Sequence, residues 1–184
     1  NALRGFATMQ TEAPQGLICD DGARAELLQW ATSLRTGAEP IPWLYVVGAR
    51  GSGRRLLLRE ALLAQARAVV EVDCNAIASE RTVCATQLRT LVREAVLHDA
   101  AIILRNIDSL AVAQSDGAVP RLAGITSAIH DGLSSFAFSN RVAMTCAALP
   151  NSKPTLATVT VRVPALTTPL REALWGAALP ATGP

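Results

Sequence analysis

The sequence predicts an α/β fold in which a parallel sheet carries helices on both faces. Short, continuous apolar runs, typical of strands that are buried on both faces, recur along the chain. Segments with helical periodicity separate these runs, so that strands and helices alternate as in β-α-β units with right-handed crossovers. Half of the 184 residues are hydrophobic and 17% are charged, which suits one globular domain with a sizeable core.

The segment before the first apolar run, residues 20–37, reads "DDGARAELLQWATSLRTG" and predicts an amphipathic helix closed by Gly37. Its apolar face contains Ala23, Leu27, Leu28, Trp30, Ala31 and Leu34. Residues 1–16 show no periodicity, and we expect a flexible segment there whose opening Asn1 and Ala2 are the remnant of a cleaved tag. The folded domain is therefore expected to span residues 17–184.

The remaining elements alternate after Pro40 and Pro42. The apolar runs that predict strands are "WLYVVGA" (43–49), "AVVEVDC" (68–74), "AIILRN" (101–106), "RVAMTCA" (141–147) and "LATVTVRV" (156–163). The segments that predict helices are "RRLLLREALLAQA" (54–66), "CATQLRTLVREAVLH" (84–98), "AVPRLAGITSAIHDGLS" (118–134) and "LTTPLREALWGAAL" (166–179). We expect the third of these helices to be broken at Gly124 and to end near Gly132.

Composition narrows the classes of function. The net charge of +2 is too small to favour a nucleic-acid or membrane partner, and neither a signal peptide nor an apolar run of membrane-spanning length is present. The four cysteines are scattered and only two histidines accompany them, so no zinc spacing can be built. Free thiols in a reducing cytoplasm are the expectation.

Residues 48–55 read "GARGSGRR" and have the spacing of a phosphate-binding loop, G-x-x-x-x-G-K-S/T, between a predicted strand and a predicted helix. Glycines allow the tight turn, and backbone N–H groups together with the helix N-terminus form a pocket for an anion. Arg54 and Arg55 stand where such a loop has Lys and Ser/Thr. The candidate ligand-binding residues of this loop are Gly48, Gly51, Ser52, Gly53, Arg54 and Arg55.

"AIILRNIDSL" (101–110) resembles the second ATP-site strand of the AAA+ ATPases, in which D-E-I-D-S-L follows four apolar residues. "RVAMTCAALP" (141–150) resembles their sensor-one strand, with Ala148 near the place of a polar Asn, and "VTVRVPALTTPLREALW" (159–175) resembles their last strand and first lid helix. The resemblance covers about residues 20–178. It implies a P-loop NTPase-like three-layer sandwich with five parallel strands in the order 5-1-4-3-2, ATP or ADP as ligand, and a lid that begins at about 166–179.

The sequence departs from this family at the residues that hydrolysis needs. Active members use a lysine that contacts the phosphates and a Ser/Thr that binds Mg²⁺. They also use one acid that holds Mg²⁺ and a second acid that aligns the attacking water. Here Arg105 and Asn106 replace the acidic pair and Arg55 removes the hydroxyl, although Arg54 can still contact phosphate as a bidentate donor. "ALPNSKP" (148–154) is too short for the helix that usually carries an arginine finger. Since guanidinium groups repel a divalent cation, we expect a catalytically degenerate domain in which ATP or ADP binding is weak or lost and no Mg²⁺ is bound.

Two further classes of function stay open. One is an active ATPase that uses Arg54 and unrecognised acids. The other is a phosphate- or nucleic-acid-binding module that uses the basic residues Arg50, Arg54, Arg55 and Arg59. These side chains either point to solvent or bind a phosphate, an acidic side chain of a partner or a nucleic-acid backbone. The favoured interpretation is a non-catalytic module of a larger tandem ATPase, with neighbouring AAA+ modules or subunits of the same protein as partners. Bacterial ATPases that accompany contractile injection systems show a similar plan.

Arg105 allows a sharper expectation. The guanidinium groups of Arg54, Arg55 and Arg105 cannot converge in a partly buried cleft unless carboxylates or an anion offset them. We expect Arg105 to turn to Asp73 or Asp108, with a bound anion as the alternative. Asp73 is also expected to cap the turn that follows its strand.

Overall fold

A computed structural model describes residues 3–34, 42–110, 121–136, 141–150 and 157–178, which form one sheet with helices on both faces. The strands are β1 (Ala7–Gln10), β2 (Trp43–Val47), β3 (Ala68–Asp73), β4 (Ala100–Arg105), β5 (Val142–Cys146) and β6 (Thr158–Arg162). The helices are α1 (Asp21–Ser33), α2 (Arg54–Leu63), α3 (Arg81–Leu97), α4 (Arg121–Ser135) and α5 (Thr168–Ala178). The predicted alternation of strands and helices is confirmed.

The sheet has six strands in the order β1-β3-β4-β5-β2-β6. The predicted count of five is therefore wrong, and the order 5-1-4-3-2 does not describe the whole sheet. The difference is β1, which pairs antiparallel with β3 at one edge. The other five strands are parallel and follow one another as β6-β2-β5-β4-β3. Because these strands are parallel, the carboxyl ends of β3, β4, β5 and β2 lie at the same end of the sheet. Ligands of open α/β sheets bind at that end.

The segment predicted to be flexible contains β1. Ala7 lies opposite Val72 and Met9 lies opposite Val70 in the ladder. Just before the strand, Leu3 and Phe6 are 2% and 5% exposed and belong to the core. The expectation of an unstructured segment over residues 1–16 is thus wrong for residues 3–10. The four residues of β1 are too few to show a period, and the strand is fixed by pairing with β3.

Side chains of the strands alternate between two cores, as the pleat of a sheet requires. Val70 and Val72 of β3 pack on the face covered by α3 and α4, whereas Val69 packs on the face covered by α1 and α2. Glu71 and Asp73 share the face of Val69 because they follow it at intervals of two. The third layer of the sandwich, formed by α1 and α2, therefore covers two acidic residues of β3.

Helix α1 begins as its sequence predicts. The Asp20 carboxylate caps it by accepting a hydrogen bond of 2.8 Å from the backbone N–H of Ala23. The predicted end at Gly37 and the neighbouring Pro40 lie outside the described residues, as do residues 151–154 of the "ALPNSKP" connection.

Helix α4 contradicts the prediction of a break at Gly124, since it runs continuously from Arg121 to Ser135, three residues beyond the expected end near Gly132. A β-carbon added to Gly132 would lie 2.9 Å from Val92 Cγ2 of α3. A glycine here permits the close approach of the two helices. Buried side chains on one face of α4 hold both glycines in helical conformation, and these are Leu122, Ile125, Ile129 and Leu133.

All four cysteines are free thiols, as expected. Burial, followed by the charge of Asp108, raises the pKa of the Cys146 thiol to about 12. Among the helices in the described ranges, none has the length and apolar character needed to cross a membrane.

Candidate functional site

The loop between β2 and α2 has the shape that its glycines dictate. A β-carbon on Gly48 would lie 2.7 Å from the carbonyl oxygen of Val163, so the loop leaves β2 through a place with room for glycine alone. Gly51 and Gly53 have φ values of 82° and 79°, in the left-handed region that glycine enters without steric cost. Gly53 is also the residue from which α2 begins. The loop therefore exposes backbone at a helix N-terminus, as anion-binding loops do.

A cleft of about 430 Å³ lies between this loop and the carboxyl ends of β4 and β5. It is lined by Arg50, Gly51, Gly53, Arg54, Arg55, Leu56, Arg105, Asn106 and Thr145. Six of the eight predicted site residues thus share one cleft. Gly48 borders a neighbouring cleft instead, together with Asp20 and Arg162. Ser52 is 2% exposed, and its buried Oγ has no hydrogen-bond partner.

Glu71 is the centre of an ion-pair cluster beneath the cleft. Its side chain is 2% exposed, and its Oε2 lies 3.5 Å from Arg105 Nη1 and 3.6 Å from Arg55 Nε. Its Oε1 lies 3.6 Å from Arg59 Nη1. Arg55 and Arg59 reach one carboxylate because residues four apart lie on the same face of a helix. One buried carboxylate therefore faces three guanidinium groups.

Arg105 makes a second ion pair, since its Nη2 lies 3.3 Å from Asp73 Oδ2. The prediction that Arg105 turns to Asp73 or Asp108 is confirmed, and Asp73 is the acid that it meets. Asp108 accepts a hydrogen bond of 3.1 Å from the backbone N–H of Ala147 instead. Arg54 does not join this cluster. Its Nη1 donates a hydrogen bond to the carbonyl oxygen of Ala49 instead.

Asp73 and Asn106 link the ends of β3 and β4. Asn106 has a φ of 58°, which asparagine tolerates better than most residues, and its Nδ2 donates a hydrogen bond of 3.1 Å to Asp73 Oδ1. Asp73 also accepts a hydrogen bond of 3.0 Å from the backbone N–H of Asn75, which confirms its predicted capping of the next turn. Burial raises the pKa of the Asp73 carboxyl, but the hydrogen bonds from Asn106 and Asn75 and the charge of Arg105 outweigh burial and lower the pKa. Asp73 is therefore ionised at neutral pH.

The balance of charge in and beneath the cleft is positive. Five arginines lie in or beneath the cleft, against the two carboxylates of Glu71 and Asp73, and both carboxylates are paired with arginine; the five are Arg50, Arg54, Arg55, Arg59 and Arg105. The described part of the chain contains no cluster of three or more His, Cys, Asp or Glu residues that could hold a metal ion. The arrangement is suited to an anion such as a phosphate chain, bound by backbone N–H groups and guanidinium groups.

Two residues of the site were missed in the sequence. Glu71 interrupts the apolar run "AVVEVDC", and a charge in the middle of a buried strand is a signal because it requires a partner. Thr145 is 3% exposed in the apolar strand β5 and lines the cleft. The resemblance to a sensor-one strand pointed instead to Ala148, which lies on an exposed stretch beyond the end of β5.

The fold is similar to that of an AAA domain. A structure similar to this one is the crystal structure of the FIGL-1 AAA domain in complex with ADP, with a TM-score of 0.58 and 16% sequence identity. The similarity covers 88% of this chain and 59% of that chain. No protein-family model and no curated protein sequence matches the chain. At 16% identity the similarity shows the fold alone, and the function has to be inferred from the site.

Proposed function

We propose that this chain is a non-hydrolysing AAA+-type domain with a structural, ring-assembly or regulatory role in a larger ATPase. Nucleotide binding in it is weak and does not use Mg²⁺. The observation that carries the proposal is the position of Arg105 at the end of β4, where it pairs with Glu71 and Asp73. This position belongs to a metal-holding acid in the ATPases that the sequence resembles.

The ion pairs of Arg105 argue against hydrolysis on electrostatic grounds. A hydrolytic site of this kind needs Mg²⁺ on the phosphates and a carboxylate that positions the metal or the attacking water. Glu71 and Asp73 lie at the end of β3 next to the cleft, and arginines already pair with both. A divalent ion about 5 Å from Arg105 and Arg55 would meet repulsion of several kcal/mol in a partly desolvated site.

The loop geometry supports a retained but weak affinity for the phosphates of ATP or ADP. The glycine conformations at the start of α2 leave backbone N–H groups free to approach a phosphate. The lysine and hydroxyl contacts of an active loop are missing, and Arg54 is turned towards the Ala49 carbonyl oxygen. The FIGL-1 AAA domain was crystallised with ADP, which makes adenine nucleotides the first ligands to test.

Helix α5 supports a role in assembly. Its Trp175 and Leu174 side chains are 64% and 42% exposed, although large apolar side chains usually find a packing partner. Neighbouring AAA+ modules or subunits of the same protein would provide that partner. We place the parent protein in the cytoplasm, where its free cysteines would stay reduced.

The test of the proposal is ATP turnover by the 184-residue chain with Mg²⁺ in excess. We expect the uncatalysed rate, and we expect Arg54→Lys to leave it unchanged because that substitution restores no metal ligand. Turnover well above background that disappears in Arg54→Ala would instead establish an active ATPase.

A further inference from the structure

We infer that the cleft selects a polyphosphate anion that carries no metal ion, and that Mg²⁺ weakens binding instead of supporting it. The ligand class is a nucleoside polyphosphate or an inorganic polyphosphate in its free form. This inference rests on the proposed function, since a cleft that hydrolysed ATP would require the metal.

The excess of positive charge is the first reason. Arg50, Arg54, Arg55 and Arg105 line the cleft, and the buried Glu71 beneath it must serve Arg59 as well. Arginines gathered in a partly desolvated cleft require compensating negative charge. Each negative charge added to the ligand therefore strengthens its attraction to this cleft, and each positive charge brought with it opposes that attraction.

The second reason is the set of groups available to a metal. Mg²⁺ demands octahedral oxygen ligands and usually takes carboxylates together with phosphates. Both oxygens of the Asp73 carboxylate already accept hydrogen bonds, one from the Asn106 amide and the other from Arg105. A metal-bound phosphate chain would bring a dication towards Arg55 and Arg105, whereas a free chain would receive bidentate guanidinium contacts from the same residues.

The third reason is that the existing ion pairs are loose enough for a phosphate to replace. The contacts of Glu71 with its three arginines measure 3.5–3.6 Å, longer than the roughly 2.8 Å of a strong charge-assisted hydrogen bond. The Nε atoms of Arg59 and Arg105 are buried without a hydrogen-bond partner. Arg55 is 46% exposed on its side chain and can move towards the loop. A phosphate oxygen would therefore compete with the Glu71 carboxylate for these guanidinium groups.

The cleft also has the size for such a ligand. Its volume of about 430 Å³ is within the range of small-molecule pockets, and Gly51 and Gly53 add no side chain to it. A di- or triphosphate chain would lie between the loop and the end of β4.

The experiment is calorimetric titration of the 184-residue chain with ATP, ADP and inorganic tripolyphosphate, first in EDTA and then in excess Mg²⁺. We expect all three to bind in EDTA and Mg²⁺ to weaken ATP and tripolyphosphate at least about threefold. Equal affinities for ATP and tripolyphosphate would show that the protein recognises the phosphate chain alone. Tighter binding of ATP than of tripolyphosphate would show an additional contact with the nucleoside. Both results support the inference. Absence of binding at millimolar ligand, or binding that Mg²⁺ strengthens, would overturn it.

Variants locate the site. Arg105→Ala should lower the affinity for tripolyphosphate about tenfold, because a bidentate contact is lost. Arg67→Ala is the matched control, since Arg67 is exposed and precedes β3 at the end of the strand opposite to the cleft. Equal effects of the two substitutions would overturn the assignment. The combined substitution Arg55→Thr, Arg105→Asp and Asn106→Glu should reverse the sign of the magnesium effect.

Glu71→Gln provides a test in the opposite direction. Removal of the competing carboxylate should raise the affinity for tripolyphosphate at least about threefold. Where this variant is too unstable for titration, its thermal unfolding temperature should rise more with tripolyphosphate than that of the wild type, and an equal rise would contradict the role given to Glu71. A chain that binds no polyphosphate and hydrolyses no ATP overturns this inference and the weak nucleotide binding but leaves the non-hydrolysing role in place, whereas magnesium-dependent turnover overturns that role.

Discussion

The Glu71 carboxylate of β3 lies 3.5 Å from the Arg105 guanidinium of the neighbouring strand β4, beneath the glycine loop. At this face the two strands otherwise carry the apolar Val69, Ala101 and Ile103, together with Asp73, which also pairs with Arg105. The Glu71–Arg105 pair also connects the cleft to the core, because the same carboxylate holds Arg59 of α2. Loss of Glu71 would remove a carboxylate from three arginines, whereas loss of Arg105 would leave Glu71 paired with Arg55 and Arg59.

We predict that Glu71→Gln lowers the free energy of unfolding by about 3 kcal/mol, because the mostly buried Arg59 guanidinium loses its carboxylate and Arg55 and Arg105 each lose an ion-pair contact. The partial exposure of Arg55 keeps the expected loss at the lower end of the range for buried pairs. Urea denaturation measures the change. Glu60→Gln is the matched control, since Glu60 pairs with the more exposed Arg24 and should lose much less. Equal losses of unfolding free energy in the two variants would show that the Glu71 cluster stabilises the fold no more than the Glu60–Arg24 pair does.

Asp73 predicts a dependence of stability on pH. Its pKa in the folded chain is lower than the ordinary value of 3.8, so the ionised carboxylate stabilises the fold above that pH, and the contribution is lost as pH falls through the lowered pKa. The difference in unfolding free energy between wild type and Asp73→Asn should be complete at pH 6 and should shrink below about pH 4. Urea titrations across this range check it, and a difference that stays constant to pH 3 would contradict the lowered pKa.

The two glycines of α4 predict opposite outcomes for the same substitution. Gly132→Ala should destabilise by about 1 kcal/mol, because its β-carbon would press on the stiff side chain of Val92, at 2.9 Å. Gly124→Ala should stabilise by up to about 1 kcal/mol, since a β-carbon there meets no atom within 4 Å and alanine favours the helix. Thermal unfolding of both variants is the measurement. Rescue of Gly132→Ala by Val92→Ala would confirm the contact, and stabilisation by both alanines would refute it.

Local patterns in the sequence account for most of the fold and for the place of the site. Apolar runs such as "WLYVV" identify buried strands, and the glycines of the loop mark the turn before α2. The pairing of Asp73 with Arg105 is also accessible, because both end neighbouring parallel strands and lie opposite each other in the ladder. These features depend on residues close in sequence or on a repeated β-α-β geometry.

The remaining features depend on contacts between distant segments. Glu71 meets Arg59 only because α2 covers β3, and no period in either segment announces that arrangement. β1 is too short to have a pattern of its own. The break expected at Gly124 was wrong because the local cost of a glycine, about 1 kcal/mol, is smaller than the gain from burying one face of α4.

Strand β1 also protects the domain from aggregation. It occupies the edge of β3, a strand that is apolar over most of its length and would otherwise offer unpaired N–H and C=O groups to another chain. A shortened protein that starts after Gln10 would expose this edge and remove Leu3 and Phe6 from the core. We expect such a protein to form intermolecular β-sheet and to precipitate, so the short N-terminal strand is a condition for solubility.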